Sequence, residues 1–389
     1  MERRNKHSKF LQTHFTGALR ALAISVSVLI LPAPSIAQTA PAAAWKDPSP
    51  HKVQFVTVEK GVKLEVLDWG GKGQPVVLLA GLGNTAHAFD DFAPKLTQSF
   101  HVFGITRRGF GASSVPSSGY TADRLGDDVI AVLDSLKINK PVIIGHSIAG
   151  EELSSIGTRY PQRISKLIYL EAAKSYAYYD KQHGDYRLDA TTLSADLDSA
   201  KNNPYDIKLM NKMQGDLLIL QKSLHSAKLV IQADIDARSG PSGGPTDADL
   251  ASFAAMQKFV ARQVGGPLPE AELRQTFNRT SDGKVGDQKT PSFVYDAILN
   301  GEQKYGAVKA SILDIEAVPK NTGSQPNANR AKLAAAQAVH TAQTLTQIKA
   351  LRAGNPRAKV IEIPNAYHYI YLSNQATVIQ AIKEFIKLN

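Results

Sequence analysis

The sequence predicts a doubly wound, mostly parallel α/β sheet of about eight strands with a helical insertion. Short, continuous apolar runs recur along the chain, and such runs are typical of strands that are buried on both faces. Segments with helical spacing lie between these runs, so strand and helix alternate. Over residues 175–307 strand signals are poor and helical spacing dominates, which indicates an inserted helical region.

Residues 1–37 predict a secretory signal peptide. The basic segment "MERRNKHSKFLQTHFTGALR" precedes the eleven-residue apolar run "ALAISVSVLIL", and Ser35-Ile36-Ala37 offers a cleavage site with small residues. A membrane anchor is the alternative, but eleven residues are too few to span about 30 Å of hydrocarbon. We therefore expect an exported protein, periplasmic or secreted, with no stable membrane anchor after cleavage.

Composition narrows the classes of partner and cofactor. The 389 residues include no cysteine, which excludes a cysteine nucleophile and a thiolate metal site. The net charge is +10, of which +4 lies in residues 1–37, and no dense Lys/Arg cluster with interleaved aromatic residues predicts nucleic-acid binding. The sequence has no metal-ligand cluster and no phosphate-binding glycine loop. We expect a small-molecule substrate and no cofactor or metal, and the sequence indicates no oligomeric state.

Residues 38–50, "QTAPAAAWKDPSP", are typical of a linker, and residues 51–174 form the first part of the predicted core. Its predicted strands are "KVQFVTV" and "KLEVLDW", paired antiparallel, then "PVVLLAG", "HVFGIT", "PVIIGH" and "KLIYLEAA". Its predicted helices are "AFDDFAPKL", "TADRLGDDVIAVLDSL" and "AGEELSSIGTRY".

The predicted insertion, residues 175–307, contains the helical stretches "DLLILQKSLHSAKLVIQADIDA" and "DADLASFAAMQKFVARQV". The core resumes at residues 308–389. Its predicted elements are the strand "VKASILDIEAV", the long helix "NRAKLAAAQAVHTAQTLTQIKALRAG", the strand "AKVIEIP" and the last helix "NQATVIQAIKEFIKL".

Ser147 is the predicted nucleophile. In "GHSIAG" it lies between a buried strand and a helix, and a tight turn of this kind projects the serine Oγ above the carboxyl edge of the sheet. Gly145 meets the need for a small residue before the serine, whereas Ala149 stands where a second glycine is usual. A serine that merely caps the helix is the alternative.

A serine nucleophile needs a base, and histidine has a suitable pKa. His368, in "EIPNAYHYIYLS", follows the last predicted strand and therefore lies at the same sheet edge as Ser147. The alternative is a loop histidine without a catalytic role.

The acid that orients the histidine is harder to assign. Asp314 and Glu316 lie within their strand, and the loop after it, "VPKNTGSQPN", has no carboxylate. Glu171 directly follows the strand "LIYL", and a carboxylate at the end of a buried strand needs a partner. We favour Glu171, with Glu316 second and Asp314 third; a surface carboxylate without a catalytic role is the remaining alternative for Glu171.

Backbone N–H groups must stabilise the charge on the substrate oxygen. One candidate is Ile148, directly after the nucleophile. The other is Leu82, in the glycine-containing loop "LLAGLGNTAHAF" after the third strand. A simple glycine-rich turn is the alternative for that loop.

These segments resemble the serine-nucleophile, lid-bearing branch of the α/β-hydrolase superfamily over residues 53–175 and 308–388. The loop at residues 78–96, "GITRRGFGASS", "VIIGHSIAG" and "IPNAYHYIYLSN" are similar to its oxyanion loop, Arg-Gly-x-Gly segment, nucleophile turn and histidine loop. Departures are Ala80 for a histidine, Thr106 for an aspartate and Ala149 for a glycine. The resemblance implies that the insertion is a lid, and that an acid on the earlier strand is a minority arrangement.

The sequence thus predicts an exported serine hydrolase that cleaves a carboxylic ester. Two alternatives remain. The same fold can cleave an amide, a lactone or a carbon–carbon bond, and the chain can also be a non-catalytic binding protein with a hydrolase fold.

Overall fold

A single eight-stranded sheet forms the centre of the computed structural model, which describes residues 45–237, 244–321, 323 and 330–388. The strands run in the spatial order β1-β2-β4-β3-β5-β6-β9-β10. β1 and β2 pair antiparallel, β2 pairs antiparallel with β4, and all other pairs in the sheet are parallel. The strands are β1 Lys52–Glu59, β2 Val62–Gly70, β3 Pro75–Leu79, β4 His101–Ile105, β5 Val142–His146, β6 Lys166–Leu170, β7 Phe277–Arg279, β8 Val285–Gln288, β9 Ser311–Ala317 and β10 Lys359–Ile363. The predicted fold class is confirmed.

Helices flank the sheet and fill the long connection between β6 and β9. They are α1 Ala93–Leu96, α2 Ala122–Ser135, α3 Gly150–Arg159, α4 Lys174–Ala177, α5 Tyr186–Asn202, α6 Ile207–Ala237, α7 Asp247–Leu250, α8 Phe253–Val264, α9 Glu270–Thr276, α10 Ser292–Asn300, α11 Arg330–Gly354, α12 Ile370–Ser373 and α13 Gln375–Lys387. None of these helices, among the residues described, is both long and apolar enough to span a bilayer.

The chain divides into two units, Met1–Lys46 and Asp47–Asn389. The predicted signal peptide, residues 1–37, and most of the predicted linker lie outside the described residues. The sheet, its helices and all sites below belong to the second unit.

The core explains the continuous apolar runs of the central strands. Leu78 on β3 and Ile144 on β5 lie in the cluster that packs on α13, whereas Val77 and Ile143 lie in the cluster with residues of α2 and α3. All four side chains are fully buried. Because both faces of these strands are covered, alternate residues cannot be polar without the cost of desolvation.

The predicted helix over "AFDDFAPKL" is divided in two. Residues Ala86–Phe89 form a single 3-10 turn, and α1 begins only at Ala93. Pro94 occupies the first turn of α1, where its missing N–H is tolerated, but it would break a helix that continued from Ala86. The sequence also missed the hairpin β7–β8, whose strands "FNR" and "VGDQ" are short and lack an apolar run.

Candidate active site

Ser147 occupies the turn between β5 and α3 with a left-handed backbone, at φ 56°. Few residues other than glycine adopt this conformation, and such strain concentrates at functional sites. The turn lifts Ser147 out of the strand, and its side chain is half-buried while its neighbour Ile148 is fully covered. The local geometry is thus that of a serine presented at the sheet edge, as expected for the glycine-flanked turn.

His368 lies in the turn between β10 and α12 and faces Ser147 across 221 residues of sequence. Its Nε2 is 2.9 Å from Ser147 Oγ, a normal hydrogen-bond distance. The same residue offers its backbone oxygen to Nε2 of His146, at 3.0 Å. Burial holds the pKa of His146 well below its usual value, so that ring is neutral and donates this hydrogen bond.

Glu171 lies directly after β6, also in the left-handed region at φ 51°. Its Oε2 is 3.1 Å from Nδ1 of His368, and its Oε1 accepts the N–H of Ala317 at 2.6 Å. Lys320 forms an ion pair with Oε2 of Glu171, and the sequence analysis did not predict this contact. The Glu171 side chain is completely buried, so these partners offset the cost of burying its charge.

The loop after β3 passes close to the serine. A Cβ on Gly81 would lie 3.3 Å from Ser147 Cβ and 2.8 Å from Nδ1 of His146, so only glycine fits there without displacement. The side chains of Leu82 and Ile148 pack in one apolar cluster with Phe110 and neighbouring residues. The two predicted N–H donors therefore belong to segments that meet beside Ser147.

The insertion holds this loop through a buried polar network. Glu272 of α9 accepts hydrogen bonds from Asn84 Nδ2 at 2.8 Å and from the N–H of Thr85 at 3.1 Å. Tyr369, next to His368, donates to Asn84 Oδ1 at 2.8 Å. Burial raises the pKa of Glu272 even though these donors oppose the shift. Sequence reasoning missed Glu272 because nothing in an amphipathic helix marks one carboxylate as a loop anchor.

The comparisons with known proteins agree with this geometry. Residues 74–205 match a family model described as the alpha/beta hydrolase fold. The structure is similar to the crystal structure of E-2-(acetamidomethylene)succinate hydrolase, with a TM-score of 0.54 at 15% identity, over 87% of this chain and 100% of that one. This chain has the α/β-hydrolase fold.

Two curated relatives of this chain are hydrolases by name. The chain is 31% identical over 123 residues to a bifunctional esterase/perhydrolase of Acinetobacter calcoaceticus, a match that covers 30% of this chain and 44% of that protein. It is 32% identical over 111 residues to a putative carbamate hydrolase of Caulobacter segnis, which covers 28% and 42%. The chain thus spans about two fifths of the length of the curated relatives it matches.

The other predicted acids face a different part of the fold. Asp314 and Glu316 are buried on β9 and, with Thr344 of α11, line a small space between sheet and helix. Glu316 Oε1 accepts the N–H of Ala173 at 3.3 Å. The structure therefore brings Glu171 to Nδ1 of His368 and directs Asp314 and Glu316 toward α11.

A cavity of about 420 Å³ lies between the insertion and α11. Tyr178 and Tyr179 line it, together with residues of α6 such as Val230 and residues of α11 such as Val339. Ser147, His368 and Glu171 are not among the described residues that line it, so this volume is separate from the groups that would react.

Proposed function

We propose that this α/β hydrolase cleaves a carboxylic ester through an acyl-enzyme on Ser147. The observation that carries the proposal is the continuous contact from Ser147 Oγ to His368 Nε2 at 2.9 Å and from His368 Nδ1 to Glu171 Oε2 at 3.1 Å. A hydroxyl, an imidazole and a buried carboxylate in this order are the parts that a serine nucleophile requires. The relative named as a bifunctional esterase/perhydrolase supports ester cleavage.

In the proposed reaction Ser147 Oγ attacks the ester carbonyl carbon and its proton passes to His368 Nε2. The N–H groups of Leu82 and Ile148 stabilise the oxyanion of the tetrahedral intermediate. When the C–O bond to the alcohol breaks, His368 returns the proton to the leaving oxygen. Water then attacks the acyl-enzyme with His368 as base, the carboxylic acid leaves, and Ser147 regains its proton. Glu171 stabilises the positive imidazole formed in both steps.

The surroundings favour an apolar acyl group. Beside Leu82 and Ile148 lie buried Phe110 and Val294 and partly buried Tyr295 of α10. Apolar walls with a few fixed polar groups are typical of small-molecule sites. We therefore propose that the insertion shapes the acyl pocket through α10.

The decisive experiment compares Ser147→Ala with wild type on p-nitrophenyl esters of increasing acyl length, run beside a lactone and an anilide. We expect the variant to lose ester turnover while it keeps its circular dichroism spectrum and melting temperature. The exposed Ser99 provides the matched control, and Ser99→Ala should retain full activity.

A serine-directed phosphonate supplies an independent readout. It should label Ser147 alone, as judged by peptide mass, and labelling should stop in His368→Ala. Ester turnover that persists in folded Ser147→Ala contradicts the proposed function, and activity confined to the anilide or the lactone changes the bond type. A wild-type protein that neither reacts with the phosphonate nor turns over any of these substrates would instead be a binding protein.

We also propose that the mature enzyme acts outside the cytoplasm. The support is the basic segment, apolar run and small-residue site in residues 1–37. Expression of the full chain followed by N-terminal sequencing of the exported product tests this, and we expect a new N-terminus directly after Ala37.

A further inference from the structure

A second group of chemically active side chains lies away from Ser147, where the segment before β1 meets the loop after β3. Asp47 and His51 come from the first segment, and His87 and Asp90 come from the second. We call these four residues the His-Asp cluster. Each offers one ligand atom, and all four atoms lie within 4.8 Å of one another.

The spacing within the His-Asp cluster suits a bound ion. His87 Nδ1 lies 3.3 Å from Asp47 Oδ2 and 3.0 Å from Asp90 Oδ2, and His51 Nδ1 lies 2.8 Å from Asp90 Oδ1. Ligands about 2.0–2.2 Å from a tetrahedral zinc ion are separated from each other by roughly 3.3 Å. The direct contacts in the cluster, from 2.8 to 3.7 Å, bracket this separation, and the four ligand atoms lie within 4.8 Å of one another.

Hydrogen bonds between histidine and aspartate explain these distances too, but the outer contacts favour a metal. Metal-ligating histidines commonly direct the other ring nitrogen to a carboxylate, which fixes the ring. His87 does so: while its Nδ1 faces the aspartates, its Nε2 lies 3.5 Å from Glu65 Oε1. Ligating carboxylates are also held by donors, and Asp90 Oδ1 accepts from Trp69 Nε1 at 3.0 Å and from Ser49 Oγ at 2.7 Å.

The excess of carboxylates over imidazoles also favours a cation at the His-Asp cluster. Even when both imidazoles carry a proton, the carboxylates of Asp47, Asp90 and Glu65 outnumber them three to two in a small volume. The side chains of His51, His87 and Asp90 are each only 4% exposed, so water screens these charges poorly. A buried surplus of carboxylates is costly unless a cation neutralises it.

We propose that the His-Asp cluster is a structural binding site for one Zn²⁺ ion. Two imidazoles among four ligands favour a transition metal over Mg²⁺ or Ca²⁺, which prefer oxygen ligands throughout. Four protein ligands fill a tetrahedral shell, as in structural rather than catalytic zinc sites. This revises the expectation from sequence that the chain holds no metal, because neither His-Asp pair alone is a metal motif.

The ion would fasten the segment before β1 to the loop that also carries Leu82. His87 lies within the 3-10 turn Ala86–Phe89 and Asp90 caps its end, and the same loop starts at Gly81 beside Ser147. Zinc at the His-Asp cluster would thus fix one end of this loop while Glu272 fixes its middle.

The test measures zinc on the full chain after export, independent of any activity. We expect equilibrium dialysis followed by elemental analysis to give one Zn²⁺ per chain at neutral pH, and the melting temperature to rise with zinc concentration but not with Mg²⁺. Co²⁺ in its place should show the intense visible bands of tetrahedral coordination. His87→Ala should weaken zinc binding by more than the 10- to 100-fold typical of lost outer contacts.

Two variants keep the test decisive. Asp47→Asn changes a side chain that is 25% exposed, so the protein should fold even if His87→Ala does not. His101 is a matched control, since it also pairs with an aspartate, Asp68 at 2.9 Å, but lies elsewhere on the surface. Zinc binding that His101→Ala removes and Asp47→Asn does not, or a wild-type chain that retains no zinc, would overturn the proposal.

Discussion

Gly150, the first residue of α3, lies against the backbone of the segment that carries Glu171. A Cβ at this position would come 2.1 Å from the carbonyl oxygen of Ala172 and 2.8 Å from Tyr176 Cβ. The first of these is a backbone atom, so relief requires α3 and the turn after β6 to separate. Gly150 stands one position after the usual second glycine of the serine turn. It is therefore required for the contact with the turn that carries Glu171, and not for the conformation of Ser147.

This contact predicts different effects of two neighbouring substitutions on stability and activity. Gly150→Ala should lower the free energy of unfolding by about 1–3 kcal/mol and reduce kcat, because the clash displaces Glu171 from His368. Ala149→Gly restores the usual motif at a helix start and should cost about 1 kcal/mol or less with activity retained. Urea unfolding and ester kinetics on both variants check this, and equal effects would refute it.

The assignment of the acid predicts a selective loss in Glu171→Gln. The amide cannot stabilise a positive imidazole, so kcat should fall by about 10²- to 10⁴-fold with little change in KM. Glu316→Gln is the matched control, because Glu316 is equally buried but faces α11 and Ala173. If Glu316→Gln were the inactive variant and Glu171→Gln remained active, the assignment would be reversed.

Glu272 of the insertion anchors the loop that carries Leu82. We therefore expect a substitution of Glu272 to lower kcat, although this side chain would not contact the substrate. Glu272→Ala removes the acceptor for Asn84 and Thr85, so Leu82 should lose its fixed position. We expect kcat to fall by about 10- to 100-fold, less than for a direct loss of a donor. Glu270→Ala, on the same helix but paired with Arg274, should leave kcat near wild type. Partial rescue by Glu272→Gln would separate loop positioning from a folding defect.

Glu302 predicts a pH dependence of stability. Burial raises the pKa of this carboxyl from 4.5 to about 7, even though Arg187 lies 2.8 Å away. Between these values the folded state binds more protons than the unfolded state, so the free energy of unfolding should fall as pH rises from about 4.5 to 7. We expect Glu302→Gln to remove about 1–3 kcal/mol of that decrease between pH 5 and pH 8. In urea titrations, exposed Glu362→Gln should leave the slope unchanged, whereas an unchanged slope in Glu302→Gln would contradict the prediction.

Much of the fold can be predicted from the sequence, because a strand that is buried on both faces is a continuous apolar run. Apolar runs such as residues 142–146 predicted the strands of the central sheet, and Lys60-Gly61 predicted the first hairpin. This pattern is missing from the partly buried strands β7 and β8, so the sequence did not predict them. β7 has a pattern of one half-buried and two exposed residues, so its pairing with β8 depends on tertiary context that a sequence window does not contain.

The residues of the candidate site also divide into those that the sequence predicted and those that it did not. Ser147, His368 and Glu171 follow strands that end at one sheet edge, so position along the chain was enough to nominate them, and the structure brings their side chains within hydrogen-bonding distance. Lys320 and Glu272 could not be nominated, because each acts through a partner far away in sequence. The sequence did not predict the His-Asp cluster for the same reason, because His51 and Asp90, one from each half, are 39 residues apart.

The position of Glu171 before the insertion has a consequence for engineering. The proposed nucleophile, Ser147, and the proposed acid, Glu171, directly follow β5 and β6, and only the proposed base, His368, lies beyond the long connection. The helices between β6 and β9 can therefore be exchanged for those of another hydrolase without rebuilding the acid, provided that the graft supplies a carboxylate for Asn84 and Thr85. On the proposed function, we expect the substrate range to be transferred together with these helices.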